Sequence, residues 1–451
     1  MVGWRLDAAR HGGQESPAMK QWLDTLEARL AQLPVALALH WPGGHAGPRE
    51  PDVALRFHGP GALAALAAGH LGAVGRAIVE GEVALEGSVR ALMRAATGFL
   101  ATDPAHEETG GWPRLRAWLH SVRAHSPLRD ARQVQFHYDL SDAFYALWLD
   151  PRRVYSCAYF AGDAQDLAAA QEAKLEHICR KLQLRPGERF VDIGAGWGAL
   201  LLWAAEHYGV RATGITLSRH QHAYVQQRIA ELGLAGRVDI ALCDYREFKP
   251  EQRFDKLASV GMLEHVGRAH MRRYFSAVHD LVVPGALVLN HGITAAAVGS
   301  AQLGAGLGEF IERYIFPGGE LLHVSQLLQD TTAAGLEMVD TENLRPHYAR
   351  TLWAWSDALE RQLPQASALL ESQLGAEEAG RVLRAYRLYL AGSALGFEQG
   401  WMALHQMLSI RPDPTRTAGF GAQSDYPFTR DFMYPRTTPC STNSNPAPPP
   451  I

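Results

Sequence analysis

Apolar residues recur at helical spacing between Met19 and Leu33 (Trp22, Leu23, Leu26, Leu30, Leu33), and the period then drops to two. Val35–His40 and Val53–Phe57 alternate as half-buried strands, with a turn rich in Gly and Pro from Gly43 to Pro51 between them. The pattern continues as helix over Pro60–Val74, strand and turn over Glu80–Ser88, and amphipathic helix over Val89–Leu100. Residues 1–105 therefore read as an N-terminal α+β domain. Residues 106–132, with Gly110-Gly111-Trp112-Pro113 and Ser126-Pro127, have the composition of a linker.

Residues 133–412 have a different texture. Gln165–Leu182 is an amphipathic helix leading into Arg189–Gly198, a short apolar run that meets glycines at 194, 196 and 198 and passes directly into Ala199–Ala205. This is the signature of strand, tight turn and helix, and it presents unpaired backbone N–H groups to a ligand. Strands at 211–215, 238–242, 256–260 and 286–291 alternate with helices at 219–232 and 269–281. That alternation predicts an α/β fold, a doubly wound Rossmann-like sheet, in which Gly194, Thr216, Asp244, Gly261 and His291 converge beyond the strand ends. Helices are expected over 310–316, 323–334, 353–374 and 376–407, and a mostly disordered tail over 413–451, which ends in a Ser-, Asn- and Pro-rich run.

The glycine spacing is G-x-G-x-G rather than the G-x-G-x-x-G of pyrophosphate binders. The next strand ends in Thr216-Leu217-Ser218, with no carboxylate to hold a ribose in the manner of NAD sites. S-adenosylmethionine fits this pattern better than a dinucleotide. Thr216 and Gln221 are neutral groups suited to ribose hydroxyls. Composition narrows the field further. A net charge of −4, with mostly Arg among the basic residues, argues against a nucleic-acid partner. Four cysteines without paired spacing suit a reducing cytoplasm and offer no metal site. No apolar leader run opens the chain, and the most apolar later stretch, Ala62–Val79, is broken by His70 and Arg76, so any meeting with a membrane is expected at its surface.

Several blocks in order carry a resemblance: His137-Tyr138-Asp139-Leu140, Tyr155-Ser156-Cys157-Ala158-Tyr159-Phe160, Asp192–Gly198, Ser259–Gly267 and Phe316-Pro317-Gly318-Gly319. From about Phe136 to Leu408 the chain resembles the cyclopropane-fatty-acyl-phospholipid synthases. The resemblance implies transfer of a methylene group from S-adenosylmethionine to the cis double bond of phospholipid acyl chains, by a cytoplasmic protein on the inner membrane face; dimers are common in that family. It implies a cofactor site of Tyr155, Ser156, Gly194, Gly196, Trp197, Gly198, Thr216, Leu217, Gln221, Tyr245 and Arg246, with Asp244 near the adenine. It further implies bicarbonate as general base, held by Cys157, Glu264, His291, Tyr348 and the backbone of Ile293.

Taken singly, these residues have plainer readings. His291 at an apolar strand end reads as a core histidine, Cys157 as a small buried apolar residue, and Tyr348 as packing or donor in equal measure. Asp192 reads as a loop tether, and the aromatics of 136–160 as an acyl channel or an ordinary core. Two positions depart from the family: Ala195 replaces a usual cysteine in the loop, and Ser393 stands where a cysteine once assigned to catalysis is usual. Ser393 is expected to be packing, since a hydroxyl without a neighbouring base is a poor nucleophile. The front block resembles a small lipid carrier, and equally suits a packing domain. A methyl-branching fatty-acid methyltransferase is the alternative function, and a silent lipid-binding protein a third.

Overall fold

Leu37–Trp41 (β1) and Val53–Phe57 (β3) pair in parallel, flanked antiparallel by Gly44–Ala46 (β2) and Val83–Gly87 (β4), in the order β2-β1-β3-β4. The inward side chains Leu37, Leu39, Val53, Leu55, Phe57 and Val83 are buried. The computed structural model describes residues 17–100, 103–105, 140–298, 303–417, 422–423 and 426–434. The linker at 106–132 and His137-Tyr138-Asp139 lie outside them. Helices Pro17–Ala31 (α1), Pro60–Ala67 (α2), Leu71–Val79 (α3) and Val89–Ala96 (α4) complete the front sheet. The single helix expected over Pro60–Val74 is two, because Gly69 takes φ 76° and turns the chain before His70.

The large sheet has seven strands: Arg189–Ile193 (β5), Arg211–Thr216 (β6), Val238–Leu242 (β7), Phe254–Val260 (β8), Val282–Ala295 (β9), Glu337–Asn343 (β10) and Met402–Ile410 (β11). Their order is β10-β11-β9-β8-β5-β6-β7, parallel from β9 through β7, with β11 inserted antiparallel between β9 and β10. From β5 the chain winds out through β6 and β7, then crosses back to β8. The switch point, where doubly wound sheets take their ligands, therefore lies at the carboxyl ends of β5 and β8.

Two expectations from the sequence are corrected here. The helix expected over 376–407 ends at Glu398; Gly400 turns the chain at φ 76°, and 402–410 is strand. Nearly every residue of β11 is buried, so it lacks the alternation that marks a one-sided strand. The helix expected over 353–374 is likewise two, Arg345–Arg361 and Leu363–Leu374, with Pro364 in the first turn of the second. Within the tail the described residues are 413–417, 422–423 and 426–434. Asp413–Thr417 pairs with Ala422–Gln423, Met433 is buried, and its carbonyl meets His177 Nδ1 at 3.0 Å.

The front domain is seated on the large one. Gly72 N–H donates to the Ala305 carbonyl at 2.9 Å, and a Cβ at Gly72 would stand 2.0 Å from the Gly306 oxygen, so two main chains touch there. Arg90 reaches Asp357 at 2.7 Å and lies over the Trp353 ring, while the Tyr314 hydroxyl donates to Glu80 at 2.6 Å. One apolar core runs without a break from Leu37 and Leu55 to Tyr348 and Leu390.

Candidate active site

The switch point holds a pocket of about 150 Å³. Tyr155, Ser156, Gly194, Gly196, Trp197, Thr216, Leu217, Gln221, Tyr245 and Arg246 all line it, together with Asp244. Gly198 does not. It takes φ 79° as the residue preceding the helix Ala199–Tyr208, and a Cβ there would lie 2.8 Å from Val225, so this glycine serves helix packing. Gly194 and Ala195 both donate their N–H to the Ile215 carbonyl at 2.9 Å, which pins the loop to β6. Thr216 and Gln221 share a 2.9 Å hydrogen bond between their side chains. Arg246 folds back on Asp244 at 2.5 Å, so that carboxylate orders its own turn. The Trp197 indole N–H donates to Asp142 at 3.0 Å.

A second, larger cavity of about 250 Å³ adjoins the first, and Tyr155, Ser156, Gly261 and His265 border both. All five residues assigned to bicarbonate, Cys157, Glu264, His291, Ile293 and Tyr348, line this second cavity. Its walls are otherwise mainly apolar, and they continue into the front domain at Leu37, Leu55, Leu66, Leu92, Met93 and Phe99. Phe144 packs edge-on against Tyr145, Trp148 and Tyr386 as core, whereas Tyr155, Phe316 and Tyr389 face the cavity. Ser393 borders the cavity too, beside Gly392.

Where β9 leaves the sheet, its residues build the polar end of this cavity. Gly261 N–H donates to the His291 carbonyl at 2.8 Å, and two residues later Ile293 N–H donates to Glu264 Oε1 at 2.6 Å. The Ile293 N–H is thus already engaged in holding Glu264. Glu264 Oε2 is buried with no hydrogen-bond partner, and burial raises the carboxyl to about 7. His291 is 1% exposed. Its Nδ1 meets the Gln406 amide nitrogen at 3.2 Å, while Nε2 is buried without a partner. An amide N–H donating to Nδ1 leaves the ring proton on Nε2. Burial, with Lys174 and Lys181 near, drives the His291 pKa well below normal, so the ring is neutral. Cys157 is fully buried; its thiol faces the Ala158 carbonyl at 3.2 Å, and burial pushes its pKa up.

Two groups outside the sequence assignments, Gln406 and Lys174, belong to this region, and a third, Asp192, differs from its expected role. Gln406 was hidden by the misassigned helix. Lys174 sits on Leu167–Lys181, a helix whose buried face also carries Gln171, His177 and Lys181; polar residues on an otherwise apolar stripe were the available signal. Asp192, expected to tether the loop, instead borders the first pocket with Oδ1 unpartnered.

Residues 125–407 match the mycolic acid cyclopropane synthetase family. A Pseudomonas putida protein named as a probable fatty acid methyltransferase is 42% identical over 418 residues, 90% of this chain and 100% of that one. Cyclopropane mycolic acid synthase 1 of Mycobacterium tuberculosis (strain ATCC 25618 / H37Rv) is 36% identical over 281 residues, 60% of this chain and 94% of its own. The crystal structure of mycolic acid cyclopropane synthase CmaA1 complexed with SAH and CTAB superposes with a TM-score of 0.57 at 35% identity, covering 62% of this chain and 98% of that one. Since the family match runs through both pockets and these relatives agree with it, the chain belongs to the mycolic acid cyclopropane synthetase family and is an S-adenosylmethionine-dependent methyltransferase.

Proposed function

We propose that this protein adds one carbon to the cis double bond of an unsaturated acyl chain in a membrane phospholipid and closes it to a cyclopropane, with bicarbonate as the base. The observation that carries this reading is the pair of unpartnered buried atoms, Glu264 Oε2 and His291 Nε2, at the polar end of an otherwise apolar cavity. S-adenosylmethionine supplies an electrophilic methyl group, and bicarbonate a base for the proton that must leave.

The chain's own residues supply the rest. The alkene π pair forms the new carbon–carbon bond as the carbon–sulfur bond breaks, and one proton leaves the new methyl group as the ring closes. The opening shared by Tyr155, Ser156, Gly261 and His265 lets the donor and the alkene meet, while the apolar walls keep water from the cation. His291, neutral, donates through Nε2 to an anion, and Glu264 in its acid form donates through Oε2; the Ile293 N–H holds that carboxyl in place. Cys157, kept as a thiol, lines the anion's seat and is no nucleophile. A peripheral position on the cytoplasmic membrane face belongs to this proposal, as the family resemblance implies; among the described residues no helix is long and apolar enough to cross a membrane.

One observation favours a second reading. The P. putida relative, matched along its whole length, is named a probable fatty acid methyltransferase, which suggests a methyl-branched product. Vesicles of cis-monounsaturated phospholipid, incubated with methyl-labelled donor and bicarbonate, separate the two. Mild hydrogenation leaves a cyclopropane product unchanged and saturates a methylated alkene. No labelled lipid would refute both.

A further inference from the structure

The stretch from Val154 to Phe160 is neither helix nor strand, yet it runs between the two cavities. Tyr155 and Ser156 border both of them, and Cys157 borders the larger. A buried main chain outside regular structure must find its hydrogen bonds elsewhere. On the donor side they come from Gln171, which is fully buried: its Nε2 donates to the carbonyls of Val154 at 3.3 Å and Ser156 at 2.9 Å. Beyond Cys157 the anchors change. Ala158 N–H donates to Thr351 Oγ1 at 3.1 Å, Tyr159 N–H to the Ala170 carbonyl at 3.0 Å, and Phe160 N–H to His347 Nδ1 at 3.0 Å. Thr351 is fully buried and borders neither cavity. Its hydroxyl proton is committed to the His347 carbonyl at 2.7 Å, which leaves a lone pair for Ala158. The same helix, Arg345–Arg361, carries Tyr348 one turn earlier. Thr351 therefore ties Cys157 to Tyr348, the two members of the anion set that come neither from β9 nor from the turn after β8.

We propose that Thr351 is a positioning residue for the anion, fixing Cys157 against Tyr348 without touching any ligand. The assignment rests on the reading of the larger cavity's polar end as a bicarbonate site. Because Gln171 pins the donor-facing half of the stretch separately, loss of the Thr351 hydroxyl loosens the seat of the anion and leaves that of the donor in place. Valine keeps the shape of the side chain but leaves the buried Ala158 N–H without its acceptor, whereas serine keeps the acceptor.

Turnover of methyl-labelled donor on vesicles of dioleoylphosphatidylglycerol, followed against bicarbonate concentration in degassed buffer, tests it beside calorimetric titration with S-adenosylhomocysteine. Thr351→Val is expected to raise the bicarbonate concentration for half-maximal turnover at least about fivefold, as for one lost hydrogen bond, and to hold S-adenosylhomocysteine within about twofold of the parent. Thr351→Ser is expected to match the parent in both. A general loss of packing would instead weaken both ligands together, and serine, the smaller side chain, would not mend it. The pair Thr351→Ser and Thr351→Ala, which differ by the hydroxyl alone, carries the same comparison should the valine variant misfold. An unchanged bicarbonate dependence without the hydroxyl, equal impairment in Thr351→Ser, or a parallel loss of S-adenosylhomocysteine overturns the assignment. If turnover by the parent does not respond to bicarbonate, the bicarbonate reading itself fails and the assignment falls with it.

Discussion

Replacing Glu264 by Gln should slow the reaction and stabilise the protein, and the stabilisation should depend on pH in a calculable way. In the fold the carboxyl rises from 4.5 to about 7, because burial outweighs the backbone hydrogen bonds from Ile293 and from its own N–H. At about 1.4 kcal/mol per pH unit the difference is roughly 3 kcal/mol, and because the group borders a cavity we expect about 2 kcal/mol to be realised. The sign follows from the raised pKa. The contribution is intact below pH 4.5, where both states are protonated, and is lost as pH climbs through 7 and the buried group must ionise. Glutamine never ionises, and its carbonyl can still accept from Ile293. Urea unfolding in bicarbonate-free buffer should therefore show nearly equal midpoints for the two proteins near pH 4.5. A gap of about 2 kcal/mol should favour Glu264→Gln at pH 8. Its turnover on lipid should meanwhile fall at least about tenfold with S-adenosylhomocysteine affinity retained. A stability gap that does not widen with pH, or a variant less stable at both, would refute the burial argument.

Five further substitutions have expected outcomes. Gly196→Val should abolish donor binding, because the side chain enters the pocket, and cost about 1–3 kcal/mol of stability, because a β-branched residue is strained at φ 57°; Gly198→Val should cost more, about 3 kcal/mol or more in thermal unfolding, by also driving into Val225 from a φ of 79°. Gln406→Leu should lower turnover roughly tenfold at unchanged S-adenosylhomocysteine affinity, since nothing then fixes the His291 proton on Nε2. Ser393→Cys should change turnover by less than about twofold, because the hydroxyl faces apolar wall and has no base to activate it. Gly392→Leu, filling the cavity near Met93, should slow turnover of long acyl chains more than short ones when vesicles of both are compared.

The elements that position the donor were legible in the sequence because the parallel strands β5, β6, β7 and β8 are each cut off by glycine or a polar turn, and β5, β6 and β8 lead on into helices. Gly194, Thr216, Asp244 and Gly261 do line one pocket, while His291 falls just beyond its wall in the second cavity. The antiparallel pair β10 and β11 was not legible. Met402–Ile410 is buried along almost its whole length and follows a long helix, so its apolar run has no period of its own. Gln406 was lost with it. Lys174 and Asp192 were visible as residue types, but their meaning depends on burial, which a one-dimensional pattern shows only as polar intrusions on an apolar stripe. The seam at Gly72 and Gly306 was beyond any local pattern, since it joins segments far apart in the chain.

Because the far wall of the larger cavity is built from Leu37, Leu55, Leu92 and Met93, the front domain would be part of the vessel in which the proposed reaction runs. A leak at that joint would leave its record in the product: water arriving before the proton departs would capture the cation as an alcohol, so a trace of hydroxylated, methyl-branched lipid would report how tightly the two halves close.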